Sequence, residues 1–360
     1  MRVGRNLQNL LLLACGVVLG GVILELGTLL ILGEQPKFPR HVVGSRFGLR
    51  INQPGSVYRH KSADVEVWFR INAQGMRVNH DYAYEKEEGV TRIVSLGDSY
   101  TIGYEVAEED TFASILEREL RAKGYRAEVL NAGVSGYSTA EECLYLEREL
   151  LKYRPDLILV SFYGNDLFDN IRTGLFVLRD GQLRLEKSRY VPLGRLGDFL
   201  NTNPLLGFLS ERSNAFALLK EDLTVLLKWG WVRANLKSQE TTQQGSGFDS
   251  GGAYERKLTA AIFERIYHDA RRGGIPLVIQ SIPFIQPRPP AMRDVFPDRE
   301  FSVDREGLRL LRAEEVLRPF LGKERLVWER SHGHWTPFSN RKSGMALADL
   351  ILREKLLEKP

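Results

Sequence analysis

Arg92-Ile-Val-Ser-Leu-Gly-Asp-Ser-Tyr-Thr101 is the stretch whose reading decides the fold. Ile93, Val94 and Leu96 form a short, β-branched apolar run, the pattern of a buried strand. The run stops at Gly97-Asp98-Ser99, and a helical pattern takes over from Asp110 to Lys123. A serine at the carboxyl end of a first parallel strand, ahead of a helix, stands where open α/β sheets gather their chemistry. By itself Gly-Asp-Ser is equally an ordinary tight turn, because all three residues favour turns. The rest of the chain has to decide between them.

Downstream, strand and helix patterns alternate. Ala127–Leu130 reads as a second strand, followed by Asn131-Ala-Gly-Val-Ser-Gly136 and a helix to Tyr153 that Ser138 or Thr139 can cap and Pro155 closes. Leu157–Val160 is a third, fully apolar strand ending in Ser161-Phe-Tyr-Gly-Asn-Asp166. Residues 170–252 mix apolar clusters with turns and read as a helical and loop insertion, with Gln239–Gly252 a flexible polar loop. A helix over Tyr254–Arg272, a strand Pro276–Ser281 and a helix near Arg305–Phe320 come next. A fifth strand, Arg325–Trp328, and a closing helix, Ser343–Leu357, complete the pattern. This alternation predicts an α/β fold: a flavodoxin-like, doubly wound parallel sheet of about five strands with helices on both faces.

Upstream lie two further regions. Leu10 to Gly33 is apolar apart from Glu25, long enough to cross a bilayer as a helix and longer than the apolar core of a signal peptide. Leu12-Leu-Ala-Cys15 loosely resembles a lipoprotein cleavage box, but the apolar run continues well past Cys15, so an uncleaved anchor is expected. Glu25 in lipid is costly and should be protonated or face a partner. Arg2 and Arg5 before the helix and Lys37, Arg40, Arg46 and Arg50 after it leave orientation unsettled by charge. Val65, Val67, Phe69 and Ile71 then alternate with polar or exposed-type residues, a half-exposed strand ending in the turn Asn72–Gly75. The expected organisation is an anchor over residues 1–35, a linker and small N-terminal β annex over 36–90, and the α/β domain over 91–360.

Composition narrows the function classes. At 360 residues, 43% hydrophobic and 27% charged, the chain is an ordinary globular protein. Its net charge of +4 gives no reason to expect nucleic acid. Cys15 and Cys143 are too far apart in character for a disulfide framework or metal spacing. Of the six histidines only His332 and His334 cluster, and no third ligand at sensible spacing accompanies them, so neither a metal nor a cofactor is expected.

Gly97-Asp-Ser99, Asn131–Gly136, Gly164-Asn-Asp166 and His332-Gly-His-Trp-Thr-Pro337 are the polar blocks at the strand ends and in the last loop. In a doubly wound sheet such segments converge on one crevice. Their order and placement closely resemble the SGNH branch of the GDSL hydrolases, across residues 90–358. The resemblance implies Ser99 as nucleophile and, through its backbone N–H, one oxyanion donor. It implies Gly136 and the Asn165 side chain as the other donors, and His334 rather than His332 as base. Asp98 and Asp166 read as structural braces of their turns. Tyr100 and Thr101 rule out the Gly-x-Ser-x-Gly elbow of α/β-hydrolases.

One position departs from the family. The aspartate usually found two or three residues before the histidine is replaced by His332 and Ser331. A backbone carbonyl can orient His334 instead. Another acid can substitute: Glu329, the nearest, or Asp298 or Asp304. Otherwise the domain binds without turnover. The expected function is a membrane-anchored serine esterase or acyltransferase with its bulk outside the cytoplasm. Its first expected substrate is an acyl, above all O-acetyl, ester of a cell-surface glycan; a lipid ester is second. The rival is a weakened SGNH-fold protein that binds glycan or scaffolds an export assembly. A flavodoxin-like nucleotide binder lacks its phosphate-cradling glycine loop.

Overall fold

The computed structural model describes residues 2–33, 41–192, 194–220, 222–223, 226 and 252–358. Lys37 and Arg40, and all of the Gln239–Gly252 loop but Gly252, lie outside the described residues. The chain opens with helix α1 (Arg2–Leu32). Two antiparallel pairs follow, β1 (Val42–Gly44) with β2 (Arg50–Asn52), and β3 (Val57–Lys61) with β4 (Glu66–Arg70). Along β4 the side chains of Val67 and Phe69 are buried while Glu66, Trp68 and Arg70 are exposed, the alternation read from sequence.

The α/β domain then runs β5 (Val90–Leu96), α2 (Ser99–Ile102), α3 (Phe112–Ala122), β6 (Arg126–Asn131), α4 (Thr139–Arg148), β7 (Leu157–Tyr163) and α5 (Asp166–Thr173). A hairpin, β8 (Phe176–Arg179) and β9 (Gln182–Leu185), leads to α6 (Gly194–Thr202) and α7 (Pro204–Arg212). The chain returns through α8 (Ala253–Arg272), β10 (Leu277–Ile282), the hairpin β11 (Phe284–Gln286) and β12 (Ala291–Arg293), β13 (Leu308–Arg312), α9 (Ala313–Leu317) and α10 (Pro337–Arg353).

The main sheet has the order β13-β10-β7-β5-β6, and each neighbouring pair is parallel. This is the flavodoxin-like order, whose direction reverses between β5 and β7. Strand periodicity feeds two apolar layers. Val94, Ile158, Val160 and Ile279 pack on one face with α4 and α8; Ile93, Leu157, Leu159 and Val278 pack on the other with α3 and α10. Buried on both faces, these strands read as continuous apolar runs rather than alternating ones.

Two sequence expectations fail at the far edge. The fifth strand is Leu308–Arg312, not Arg325–Trp328, and it replaces the first half of the helix expected near Arg305–Phe320. Leu308 to Arg312 pair in register with Leu277 to Ser281 of β10, and this pairing overrides a pattern that scans as helical. Arg325–Trp328 instead forms one arm of a tight loop, bridged through Val327 and Trp335. The closing helix starts at Pro337, where a proline suits the first turn, rather than at Ser343.

Beneath the β5 and β7 ends lies a buried acidic floor. Asp98, Glu142 and Asp166 are 1% exposed or less. Burial and the neighbouring Asp169 charge push Asp98 up to about 7. Burial and the Asp98 charge push Glu142 well above the carboxylate range, and Asp166 rises for the same kind of reason. Such groups hold protons in the folded chain that the unfolded chain has released. Their contribution to stability is therefore present below the ordinary carboxylate pKa and is lost as pH rises through the folded value. Glu142→Gln removes one of them without removing volume. The melting temperature of Glu142→Gln relative to wild type is expected to climb between pH 5 and pH 8, by at least about 2 °C. A flat difference across that range would place Glu142 outside this balance.

Candidate active site

Ser99 is positioned by the abrupt end of β5. Gly97 has φ +154°, and a Cβ there would lie 2.0 Å from Thr101 Oγ1, so only glycine lets the strand turn straight into α2. Asp98 caps α2, its carboxylate accepting the Tyr100 N–H at 2.9 Å, which leaves Ser99 as the first helical residue. Ser99, Gly136, Asn165 and His334 are each partly exposed, whereas Asp98, Tyr100, Tyr137, Asp166 and Trp335 around them are buried.

His334 arrives on the tight loop that the sequence reads as a strand. The Trp328 N–H donates to the His334 carbonyl at 2.9 Å and the Gly333 N–H to the Trp328 carbonyl at 3.1 Å. His334 Nε2 lies 2.8 Å from Ser99 Oγ. Tyr100 and Tyr104 flank the imidazole, with ring centroids at 5.0 and 5.5 Å. Segments 235 positions apart thus meet at hydrogen-bond distance.

The acid behind His334 is Glu105, which the sequence reading did not single out. Glu105 is fully buried. Its Oε2 lies 3.8 Å from His334 Nδ1, and its Oε1 lies 3.3 Å from His332 Nδ1 and 3.6 Å from His60 Nε2. Burial pushes this carboxyl up, but the nearby ring nitrogens of His332, His334 and His60 outweigh burial and hold it far below the usual carboxylate range. Burial lowers His60 below its ordinary value despite the pull of Glu105. Glu105 adopts φ +64°, the left-handed region that costs a non-glycine residue of order 1 kcal/mol or more. The Trp328 indole N–H donates to its carbonyl at 2.9 Å and helps to hold it there.

Glu329, the supporting acid expected from sequence, points elsewhere: its carboxylate lies 3.3 Å from Arg288. Asp298 pairs with Arg312, and Asp304 is exposed on the surface.

Asn165 and Gly136 sit on the two neighbouring loops. The Asn165 amide donates at 3.4 Å to Asp169 Oδ2 and lies close enough to Asp98 to favour its charged form. Gly136 has φ +68°, and its carbonyl is held by Arg172 at 2.9 Å and by Arg50. The loop before it is tied to the serine turn through the Val134 N–H on the Gly97 carbonyl at 3.0 Å.

The N-terminal strands brace these loops. Arg50 of β2 pairs with Glu141 at 3.0 Å, and Asn52 donates to the Gly133 carbonyl at 2.9 Å. Asp64, in the β3–β4 turn, accepts from the Arg330 N–H at 2.7 Å and the Ser331 hydroxyl at 3.0 Å and pairs with Arg325, clamping the histidine loop.

Residues 95–302 match the model of the GDSL-like lipase/acylhydrolase family. The chain belongs to that family. A curated relative, an arylesterase from Vibrio mimicus, is 32% identical over 75 residues, covering 21% of this chain and 38% of that protein. The chain thus matches well under two thirds of that relative's length. Among solved structures, the lipase/acylhydrolase from Enterococcus faecalis is 16% identical with a TM-score of 0.36, covering 75% of this chain and 99% of that one. AlinE4, an SGNH-hydrolase family esterase, is 16% identical with a TM-score of 0.34, covering 75% and 98%.

In this GDSL-family chain a glutamate six residues after the serine faces the His334 imidazole. Nothing in the sequence pattern marks Glu105, since its backbone conformation and burial appear only in the fold; its nearness to Gly-Asp-Ser is the one available clue. His60 comes from the strands read as an annex. Among the described residues, His60, Glu105 and His332 bring donor atoms within 4.8 Å of one another, as do Cys143, Glu147 and Asp269. The fold therefore supplies the partners that the sequence does not offer to the His332–His334 pair. A cation held by His60, Glu105 and His332 would draw on the same carboxylate that His334 faces.

If Glu105 orients His334, Glu105→Gln lowers turnover of an activated ester by about 10²–10⁴-fold. Glu329→Gln is expected to stay near wild type. Steady-state kinetics of the two variants side by side check this, and the reverse ranking would return the role to Glu329.

Proposed function

We propose that the chain is a membrane-anchored serine esterase that cleaves acyl esters through an acyl-enzyme on Ser99. The observation that carries this reading is the 2.8 Å contact between Ser99 Oγ and His334 Nε2 with the Glu105 carboxylate behind the imidazole. Ser99 Oγ attacks the acyl carbonyl carbon while His334 Nε2 takes its proton. Glu105 faces Nδ1, fixing the tautomer and stabilising the imidazolium that forms. The Ser99 and Gly136 N–H groups and the Asn165 amide receive the oxyanion, each donor contributing about 3–4 kcal/mol in the transition state. His334 then returns the proton to the departing alkoxide, and water resolves the acyl-enzyme. An acceptor hydroxyl in place of water would make the same parts an acyltransferase.

The acyl group of an O-acetylated cell-surface glycan is the first substrate in this reading, and a lipid ester the second. Its support is the family resemblance and the N-terminal apolar helix, with Tyr163 and Phe284 as partly exposed aromatic rings beside the site, 4.7 Å apart. Helix α1 spans the bilayer, since Asn6–Leu32 is long and apolar enough to do so, and the hydrolase domain lies outside the cytoplasm.

The test is p-nitrophenyl acetate turnover by the full chain in detergent. Ser99→Ala and His334→Ala should each fall at least about 10³-fold, and covalent fluorophosphonate labelling should vanish in Ser99→Ala. Equal rates in wild type and both variants would leave the glycan-binding or scaffolding reading in its place. Acetate release from an O-acetylated polysaccharide, compared with fatty-acid release from phospholipid vesicles, separates the two substrates.

A further inference from the structure

The one acid in the apolar helix is answered by a distant part of the chain. From Asn6 to Leu24 every residue of α1 is exposed, but Glu25 and Thr28, one turn apart, are partly or fully withdrawn. Glu25 Oε1 accepts from the Asn214 backbone N–H and side-chain amide, both at 2.8 Å. Its Oε2 accepts from the Ser213 hydroxyl at 2.7 Å and the Ala215 N–H at 3.1 Å. These donors form the N-terminal turn of a helix covering 214–220, so a carboxylate caps that helix from inside the anchor. A charge at this depth would otherwise lie against lipid without partners.

The helices brought to α1 in this way are apolar on their outward side. Leu205 and Phe208 on α7 are 66% and 60% exposed. Leu219, Leu223 and Leu226 follow at i, i+4 and i+7, the spacing of one helix face, and are exposed to 59% or more. Large exposed apolar side chains gathered in this way mark a contact surface. The segment is also tied to the folded domain: Asp198 of α6 accepts the Gly44 N–H at 2.7 Å, and Asn201 donates to the Val42 carbonyl at 2.8 Å. Further along the same small sheet, Arg50 holds the Gly136 carbonyl.

We propose that α7 and the helical residues 214–220, 222–223 and 226 form a lipid-embedded platform beside α1. Leu205, Phe208, Leu219, Leu223 and Leu226 enter the acyl-chain region next to the spanning helix. The occupant of this surface is the bilayer, because the patch continues from a helix whose own outward surface is apolar and because Glu25 ties the two together. The proposal rests on the anchoring reading above and adds a second membrane contact to it. A single spanning helix leaves a domain free to swing; this platform fixes the height and tilt of the Ser99 crevice above the membrane. It directs the site to esters presented at or near the interface.

The experiment uses the full chain with Cys15→Ala, reconstituted into phosphatidylcholine nanodiscs, carrying one of the substitutions Val18→Cys, Phe208→Cys, Leu219→Cys or Leu185→Cys. Each introduced thiol is labelled with an environment-sensitive fluorophore; Cys143 is buried and serves as the unlabelled background. Nitroxide-bearing lipids should quench most of the emission at 18, 208 and 219, with blue-shifted spectra, and leave 185 on the β8–β9 hairpin bright. Glu25→Ala should restore emission at 208 and 219 while 18 stays quenched. Quenching at 18 with bright, red-shifted probes at 208 and 219 would overturn the platform and leave the anchor standing. A bright probe at 18 would overturn both.

Discussion

One buried carboxylate sets the terms for the site. Glu105 has no exposed surface, stands in the left-handed backbone region, and is met by three imidazoles from two parts of the chain. A lone carboxylate in that position would be driven to protonate; ringed by ring nitrogens it stays charged and orders whatever faces it. His334 is one of those partners, and the same imidazole meets Ser99 Oγ at its other nitrogen. The distance from Glu105 to His334, 3.8 Å, is longer than a hydrogen bond.

The remaining architecture serves to keep these groups in register. The flavodoxin-like order places the β5 and β7 ends side by side, so the serine turn and the Asn165 turn share one crevice. The N-terminal strands are built into this arrangement: His60 reaches Glu105, Asp64 clamps the histidine loop, and Arg50 and Asn52 brace the Gly136 loop. Through Asp198 and Asn201 the same strands hold the helices that reach Glu25 of α1. Polar contacts and short connections therefore link helix α1 to the crevice.

Much of this was legible in the sequence, for a physical reason. Strands buried on both faces and bounded by Gly-Asp-Ser or Gly-Asn-Asp give strong local signals, and β5, β6, β7 and β10 stand where those signals put them. Ser99 and His334 stand out in sequence because they sit in blocks whose order resembles a family, and the fold brings them within 2.8 Å. What failed depends on tertiary pairing. Leu308–Arg312 is a strand only because β10 offers it an edge, and Leu326–Trp328 is apolar only because it folds under the histidine loop. Glu105 is not legible because nothing local distinguishes a buried acid from its neighbours Glu108 and Glu109, and His60 because its strand reads as peripheral. The partner of Glu25 was foreseen as a need but not as a residue.

The most direct measurement is the imidazole proton spectrum of the full chain in detergent micelles. A His334 Nδ1 proton held against the Glu105 carboxylate should give a resonance far downfield that is present in wild type and in Glu329→Gln and lost in Glu105→Gln. Persistence of that resonance in Glu105→Gln would contradict the arrangement on which the account depends.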